Sequence, residues 1–255
     1  MSKTDALQKV ADFEKRSGGT DWLTITKDDL IRGLRDRINN PDGIDTTSVN
    51  LCGPGAFFRW LAIDDPVMYA NAVISLWEKN EALIGSRKFK APYSLRIANP
   101  GSTEAVDWVP LASLRDDENT LLSFDSAEGT LSGLTMPMGM EKWFREAGYR
   151  GVVNVTNVLL TKNLANIQEA DRLRAGGYRV CLLIHGDMLT VAKQSNKSIF
   201  PNHWVGLTDA VRVNGANISM EVHSWGDKMR IPENGALAVN TFLKNYYGYV
   251  AGLPA

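Results

Sequence analysis

Residues 200–227 read FPNHWVGLTDAVRVNGANISMEVHSWGD. An apolar run follows His203, and Asn214-Gly215 then separates it from a second run at 218–224. Asn-Gly between two apolar, β-branched runs is a hairpin signal, because both residues tolerate the positive φ of a tight turn. A strand at 203–213, a strand at 218–224 and a shorter one at 228–231 therefore form an antiparallel sheet. Upstream, YRVCLLI at 178–184 adds a further strand, and residues 237–247 read as a closing helix.

Working back toward the N-terminus, the periodicity changes. Leu7, Val10 and Phe13 share one face of a helix over 5–16, and Leu30, Ile31, Leu34 and Ile38 recur at helical spacing over 27–39. Asn-Asn-Pro-Asp-Gly at 39–43 is a stop and turn. Phe57, Phe58, Trp60, Leu61 and Ile63 make a helix apolar on most sides, broken by Asp64-Asp65-Pro66 and followed by a helix over 67–83. Residues 85–139 are rich in turn formers, and short helices resume at 140–147 and 164–175. Helices come first and the antiparallel sheet last, an order that means α+β rather than alternating βαβ units.

The chain has 255 residues, a formal net charge of −1 and 22% charged residues. No basic stripe points to nucleic acid. Two cysteines, Cys52 and Cys181, cannot form a disulfide framework. No run approaches the roughly 18 apolar residues of a spanning helix. The opening residues lack the apolar core of a secretory signal. The expected place is cytoplasmic, with export by a dedicated secretion machine leaving the same pattern.

The chemistry concentrates around Cys52, in NLCGPGAFFRW (residues 50–60). Pro54 suits the first turn of a helix, so Cys52 sits where exposed backbone N–H groups and the helix dipole favour thiolate over thiol. The same N–H groups can stabilise an oxyanion. Gly53 and Gly55 would let a substrate backbone approach. The plainer reading of Cys52 is a small buried hydrophobe. A nucleophile needs a base, and the chain has three histidines: His185, His203 and His223. His203 stands where a loop becomes an apolar strand. His185, before Gly186-Asp187, reads as a turn residue. Cys181, inside RVCLLI, reads as core. No spacing supports a metal site, and no glycine-rich phosphate loop occurs.

These residues resemble the papain-like cysteine peptidases, in particular the bacterial group related to the C39 fold. NLCGPGAFFRW is similar to their nucleophile helix, NHWVGL to their base strand, and VHSWGD (222–227) to the Asn-Ser-Trp-Gly segment that carries the third triad member. The likeness covers three islands in the papain order. It implies one papain-like domain over 1–255: an N-terminal helical extension (1–45), a mainly helical part with the nucleophile helix (46–176), and an antiparallel sheet part with the base (177–255). It implies that the helical part packs on the sheet.

The resemblance further implies a thiol hydrolase acting on an amide bond of a protein or peptide, peptidoglycan peptide included, with no cofactor and no metal. Cys52 would be the nucleophile and His203 the base. His223 occupies the papain asparagine position, and Asp227 is the better orienter by chemistry; Asp209 is a third choice. Trp225 would shield the pair. The papain glutamine is absent, so Asn50 is the nearest oxyanion donor or else a helix cap, with Thr46, Thr47 and Ser48 weaker choices. Deamidation or transglutamination by the same fold, or an inactive papain-like binding domain, are the alternatives. Effectors and toxins of bacteria are among the settings the resemblance suggests.

Overall fold

The computed structural model describes residues 2–18, 21–47, 50–121, 134–189 and 200–255. It is α+β and divides into two units, Met1–Thr135 and Met136–Ala255. Ser48 and residues 122–133 of the turn-rich stretch lie outside the described residues.

The first unit is mainly helical. Helix α1 (Lys3–Lys15) starts with a capping box, Ser2 and Asp5 each bonding the other's backbone N–H. Helix α2 (Lys27–Asn39) starts at Thr26, whose hydroxyl accepts from the Asp29 N–H. Helix α3 (Cys52–Asp64) is apolar nearly all round and buried along most of its length. Asp65 ends it and caps α4 (Pro66–Lys79) by accepting from the Met68 N–H. Asn80, at φ 58°, then stops α4. A small hairpin follows where the helical pattern predicts continued helix to 83: β1 (Glu81–Ile84) and β2 (Arg87–Lys90). Helices α5 (Tyr93–Ile97) and α6 (Ala105–Leu121) complete the unit.

Residues 1–45 are no extension. Val10, Phe13, Leu30, Leu34 and Ile38 are fully buried or nearly so, and α1 and α2 pack on α4 and α6. Buried Arg37 of α2 donates from Nε and Nη2 to both carboxylate oxygens of buried Asp107 on α6, at 3.2 and 2.8 Å. Asp107 also accepts the Asp45 N–H at 3.1 Å. The stretch leading toward α3 is thereby tied to the same ion pair. Removing one partner of such a pair strands a buried charge, which costs about 3–5 kcal/mol.

The second unit begins well before residue 177. Helix α7 (Pro137–Glu146), β3 (Arg150–Asn154) and α8 (Leu164–Ala175) belong to it. The reason is pairing and burial: β3 is hydrogen-bonded to the last strand, and α8 buries Ile167 and Ala170 against the sheet. The strands that follow are β4 (Arg179–Ile184), β5 (His203–Leu207), β6 (Arg212–Asn214), β7 (Asn217–Ser224), β8 (Asp227–Ile231) and β9 (Leu237–Ala238), with a short α9 (Val239–Leu243) before β10 (Tyr246–Leu253). The order across the sheet is β3-β10-β4-β5-β7-β6, every pair antiparallel, with β8 and β9 also bonded to β7.

The closing segment departs most from the periodicity reading. Residues 237–247 hold β9 and α9 and run into β10, a strand bonded on both sides. A strand covered on both faces is apolar throughout and loses its alternation, so YYGYVAGL carries no period-2 signal. Gly248, at φ 109°, is required there: a Cβ would lie 2.6 Å from the Val155 carbonyl oxygen.

One sheet face is set by Val180, Leu182 and Ile184 of β4, Val205 and Leu207 of β5 and Val222 of β7, all fully buried. Each such side chain contributes on the order of 2 kcal/mol. A slip of one residue would send the whole set to the other face, so this packing fixes which way His203 points.

Candidate functional site

Cys52 is the first residue of α3. Leu51 occupies the N-cap and provides no side-chain hydrogen bond. Asn50 is exposed and does not cap. Pro54 has no N–H, so the first-turn donors belong to Cys52 and Gly53. Cys52 is 9% exposed, Cys181 is fully buried, and neither is in a disulfide. Arg59, one face further along α3, donates to the Asp42 carboxylate from Nε at 2.8 Å and lies 4.2 Å from the Trp60 ring centre. That pair holds the helix against the 3-10 turn Pro41–Gly43.

Gly53 and Gly55 have a packing reason rather than a substrate one. A Cβ on Gly53 would sit 2.2 Å from Thr135 Oγ1, and one on Gly55 would sit 2.6 Å from Thr46 Cγ2. The space beside each glycine is filled by a buried threonine of the same unit. Neither glycine therefore has room for a side chain, the Gly53 N–H stays a first-turn donor, and Thr46 is a packing residue.

In the second unit, His203 opens β5 and is 7% exposed. Its Nε2 is 2.7 Å from Ser224 Oγ, also buried. The Trp225 ring lies 5.0 Å away, tilted 39° to the imidazole. Ser224 and Asp227 pair across a two-residue turn, with Trp225 at φ 52° and Gly226 at φ 79°. Two positive φ values match the turn that suits a right-twisted hairpin. Tryptophan rarely adopts that region, and such strain concentrates at functional positions. Burial, then the nearby His185 charge, lowers the His203 pKa to about 4. The resting ring is neutral, the form a general base requires.

The orienting group is not the one expected by alignment. Gly206 pairs with His223 and Leu207 with Val222. Alternation then puts His203, Val205 and Leu207 on the face of Val222 and Ser224, and His223 on the opposite face with Trp204 and Gly206. His223 cannot hold the His203 ring. Asp227 shares the Ser224 side of the hairpin, but it is exposed and accepts from the Lys228 N–H. Asp209 lies beyond the far end of β5, about 20 Å along the strand from His203 at ~3.3 Å per residue, and bonds Ala210 and Arg212. Glu221, on the His223 face, accepts from the Thr208 hydroxyl.

Ser224, the residue in contact with His203, is the one that motif alignment misses. Its signal is parity: it sits one residue from the expected position, on the side that faces His203. His185 immediately precedes the 3-10 segment Gly186–Leu189, and Cys181 is core.

Among the described residues no group of three or more His, Cys, Asp or Glu is placed to hold a metal ion, and no helix is long and apolar enough to cross a membrane. Comparison with protein-family models, with curated proteins and with solved structures finds no match.

Proposed function

We propose that this chain is a papain-like thiol hydrolase that cleaves amide bonds through a covalent acyl-enzyme on Cys52, with His203 as base and Ser224 as the group that holds the base. The observation that carries the reading is the state of His203. It is a buried, neutral imidazole at the head of a strand, with Nε2 against Ser224 and a tryptophan over the ring. If Nε2–H donates to Ser224 Oγ, Nδ1 is bare and can take a proton.

In the reaction so proposed, Nδ1 takes the Cys52 proton as the sulfur attacks the substrate carbonyl. The first-turn N–H groups of α3 meet the oxyanion. The tetrahedral species collapses, the C–N bond breaks, and His203 returns the proton to the leaving amine. Water, activated by the same nitrogen, releases the acyl group and restores the thiol. Attack on a glutamine side chain would give deamidation, and an amine in place of water would give transamidation.

The test is the alkylation rate of Cys52 by iodoacetamide against pH, read by peptide mass mapping. Fully buried Cys181 is the internal control. Cys52 should react at pH 7 well ahead of an ordinary thiol of pKa about 8.5, and His203→Ala should remove that advantage. Cys52 behaving as an ordinary thiol in both proteins would remove the catalytic reading and leave an inactive peptide-binding domain. The His203–Ser224 contact also favours a second reading, a serine nucleophile at 224. Hydrolysis that survives Cys52→Ser but not Ser224→Ala would select it.

A further inference from the structure

Residues 155–163, VTNVLLTKN, join β3 to α8 without helix or strand, yet their backbone is firmly held. The Val155 N–H donates to the Tyr249 carbonyl at 3.1 Å, the Asn157 N–H to that of Tyr247 at 2.9 Å, and the Lys162 N–H to that of Tyr246 at 2.9 Å. All three tyrosines lie on β10 and are buried. Between the last two anchors the chain turns over Asn157, whose Oδ1 accepts the Leu159 N–H at 2.8 Å and the Leu160 N–H at 3.0 Å. The loop therefore has both ends fixed to the sheet and its turn closed from within.

Leu159 and Leu160 stand at the tip, 68% and 65% exposed. A single leucine in water is ordinary, because much of any folded surface is apolar. Two in sequence on an anchored turn form an apolar point held out to a partner. The surrounding charge selects that partner. From 147 to 168 the only charged residues are Arg150 and Lys162, with no aspartate or glutamate. Arg150 starts β3, and Lys162 belongs to the loop itself; among the described residues no carboxylate pairs with Lys162. Glu141 reaches the base of the loop through Asn154, and Arg145 neutralises it.

We propose that this loop docks on an anionic lipid surface, with Leu159 and Leu160 entering the acyl boundary and Lys162 at the level of the phosphates. Three properties fit lipid better than a groove on a protein. The Leu159 and Leu160 N–H groups are already satisfied by Asn157, so the tip enters an apolar medium without stranding either donor. Peptide grooves read side chains spaced along one face of a helix or strand; the hydrophobic effect has no direction, so lipid takes two adjacent leucines equally well. The lysine beside the tip carries its charge on a long apolar stem, which suits the boundary between acyl chains and anionic headgroups. The contact is independent of the function proposed above.

The test is vesicle flotation of the full chain, with phosphatidylcholine alone and with phosphatidylserine added. Two leucines bury fewer methylenes than one acyl chain, so the association is weak and reversible and should show at about 5 mM lipid. It should be stronger with phosphatidylserine and should fall with added salt. Leu159→Ser together with Leu160→Ser should abolish it, at about tenfold lost per leucine. Both side chains are exposed, so the melting temperature of that variant should hold. Lys162→Gln should cost about fivefold on the anionic vesicles and nothing on the neutral ones. In Leu159→Trp, vesicles with brominated acyl chains should quench fluorescence beyond any quenching of the wild type. No flotation of the wild type, flotation of the double leucine variant like the wild type, or no added quenching would each overturn the proposal. Self-association that the double leucine variant abolishes would assign the tip to a second copy of the chain and overturn it too. None of these readouts involves Cys52 or His203, so an inert thiol would refute the hydrolase reading and leave the lipid contact standing.

Discussion

At the scale of the residue, the decisive contrast is between two neighbours on β7. Ser224 meets His203 Nε2 at 2.7 Å, while His223 lies on the other face of the sheet. If Ser224 sets the tautomer of the proposed base, Ser224→Ala should slow turnover by up to about a hundredfold, the low end of what a general base contributes. It should also broaden the pH profile of Cys52 alkylation, with little change in melting temperature. Ser224→Asn, which keeps an acceptor, should restore part of the rate. His223→Ala should do the reverse: a buried polar side chain lost, about 1–3 kcal/mol of stability gone, and an unchanged alkylation profile. A His223→Ala protein of normal stability with a shifted profile would return the orienting role to His223. The motif hides the distinction because VHSWGD aligns with Asn-Ser-Trp-Gly by letter. Only the strand register says which letter faces His203.

At the scale of the element, α3 shows how a glycine is misread. Two glycines after a candidate nucleophile suggest room for substrate. The structure fills that room with Thr135 and Thr46. Gly53→Ala should therefore destabilise the protein by about 1–3 kcal/mol, as overpacking does, measured by urea unfolding. In a Thr135→Gly background, where Oγ1, Cγ2 and Cβ are gone, the same change should cost far less. A Gly53→Ala protein of wild-type stability that has lost only activity would restore the substrate reading. Other elements are legible in the sequence for physical reasons. Helix α2 and helix α8 follow their periodicity and cap residues to the residue, and His203 does open a strand. The hairpin signal at Asn214-Gly215 is one residue early: Asn214 pairs with Asn217, so Gly215 and Ala216 form the turn. Helix α4 ends early because Asn80 takes the left-handed conformation, a single-residue event with no periodic trace. Strand β10 has no alternation to read, since both its faces are covered. Trp225-Gly226 reads as a family signature, although Trp-Gly is also the pair that closes the β7–β8 hairpin.

At the scale of the whole molecule, the two units carry buried titratable groups of opposite sense. In the first unit, burial pushes the Glu118 carboxyl up to about 7. Among the described residues Glu118 Oε1 is buried with no hydrogen bond, so the cause is visible in the geometry. In the second unit, burial lowers His203 from 6.5 to about 4. The signs follow from which state binds more protons. A raised carboxyl is protonated in the fold before it is in the unfolded chain, so stability in the first unit rises as pH falls from about 7 to about 5. A depressed histidine is protonated first in the unfolded chain, so its contribution is present above about 6.5 and is lost as pH falls toward 4. By pH 5 that loss is about 2 kcal/mol, at ~1.4 kcal/mol for each tenfold difference in proton affinity. Acidification from pH 7 to pH 5 should therefore loosen the second unit while leaving the first as firm or firmer. Hydrogen exchange read peptide by peptide, corrected for the intrinsic pH dependence of exchange, measures both at once. Protection over residues 179–184, 203–207 and 217–224 should fall, and protection over 30–38 and 105–115 should hold. In His203→Asn, which cannot titrate, the loss in the second unit should shrink while the first unit behaves as in the wild type. Equal loss in both units, unchanged by that substitution, would mean that acid acts on the fold through other groups and that His203 is not a buried neutral imidazole.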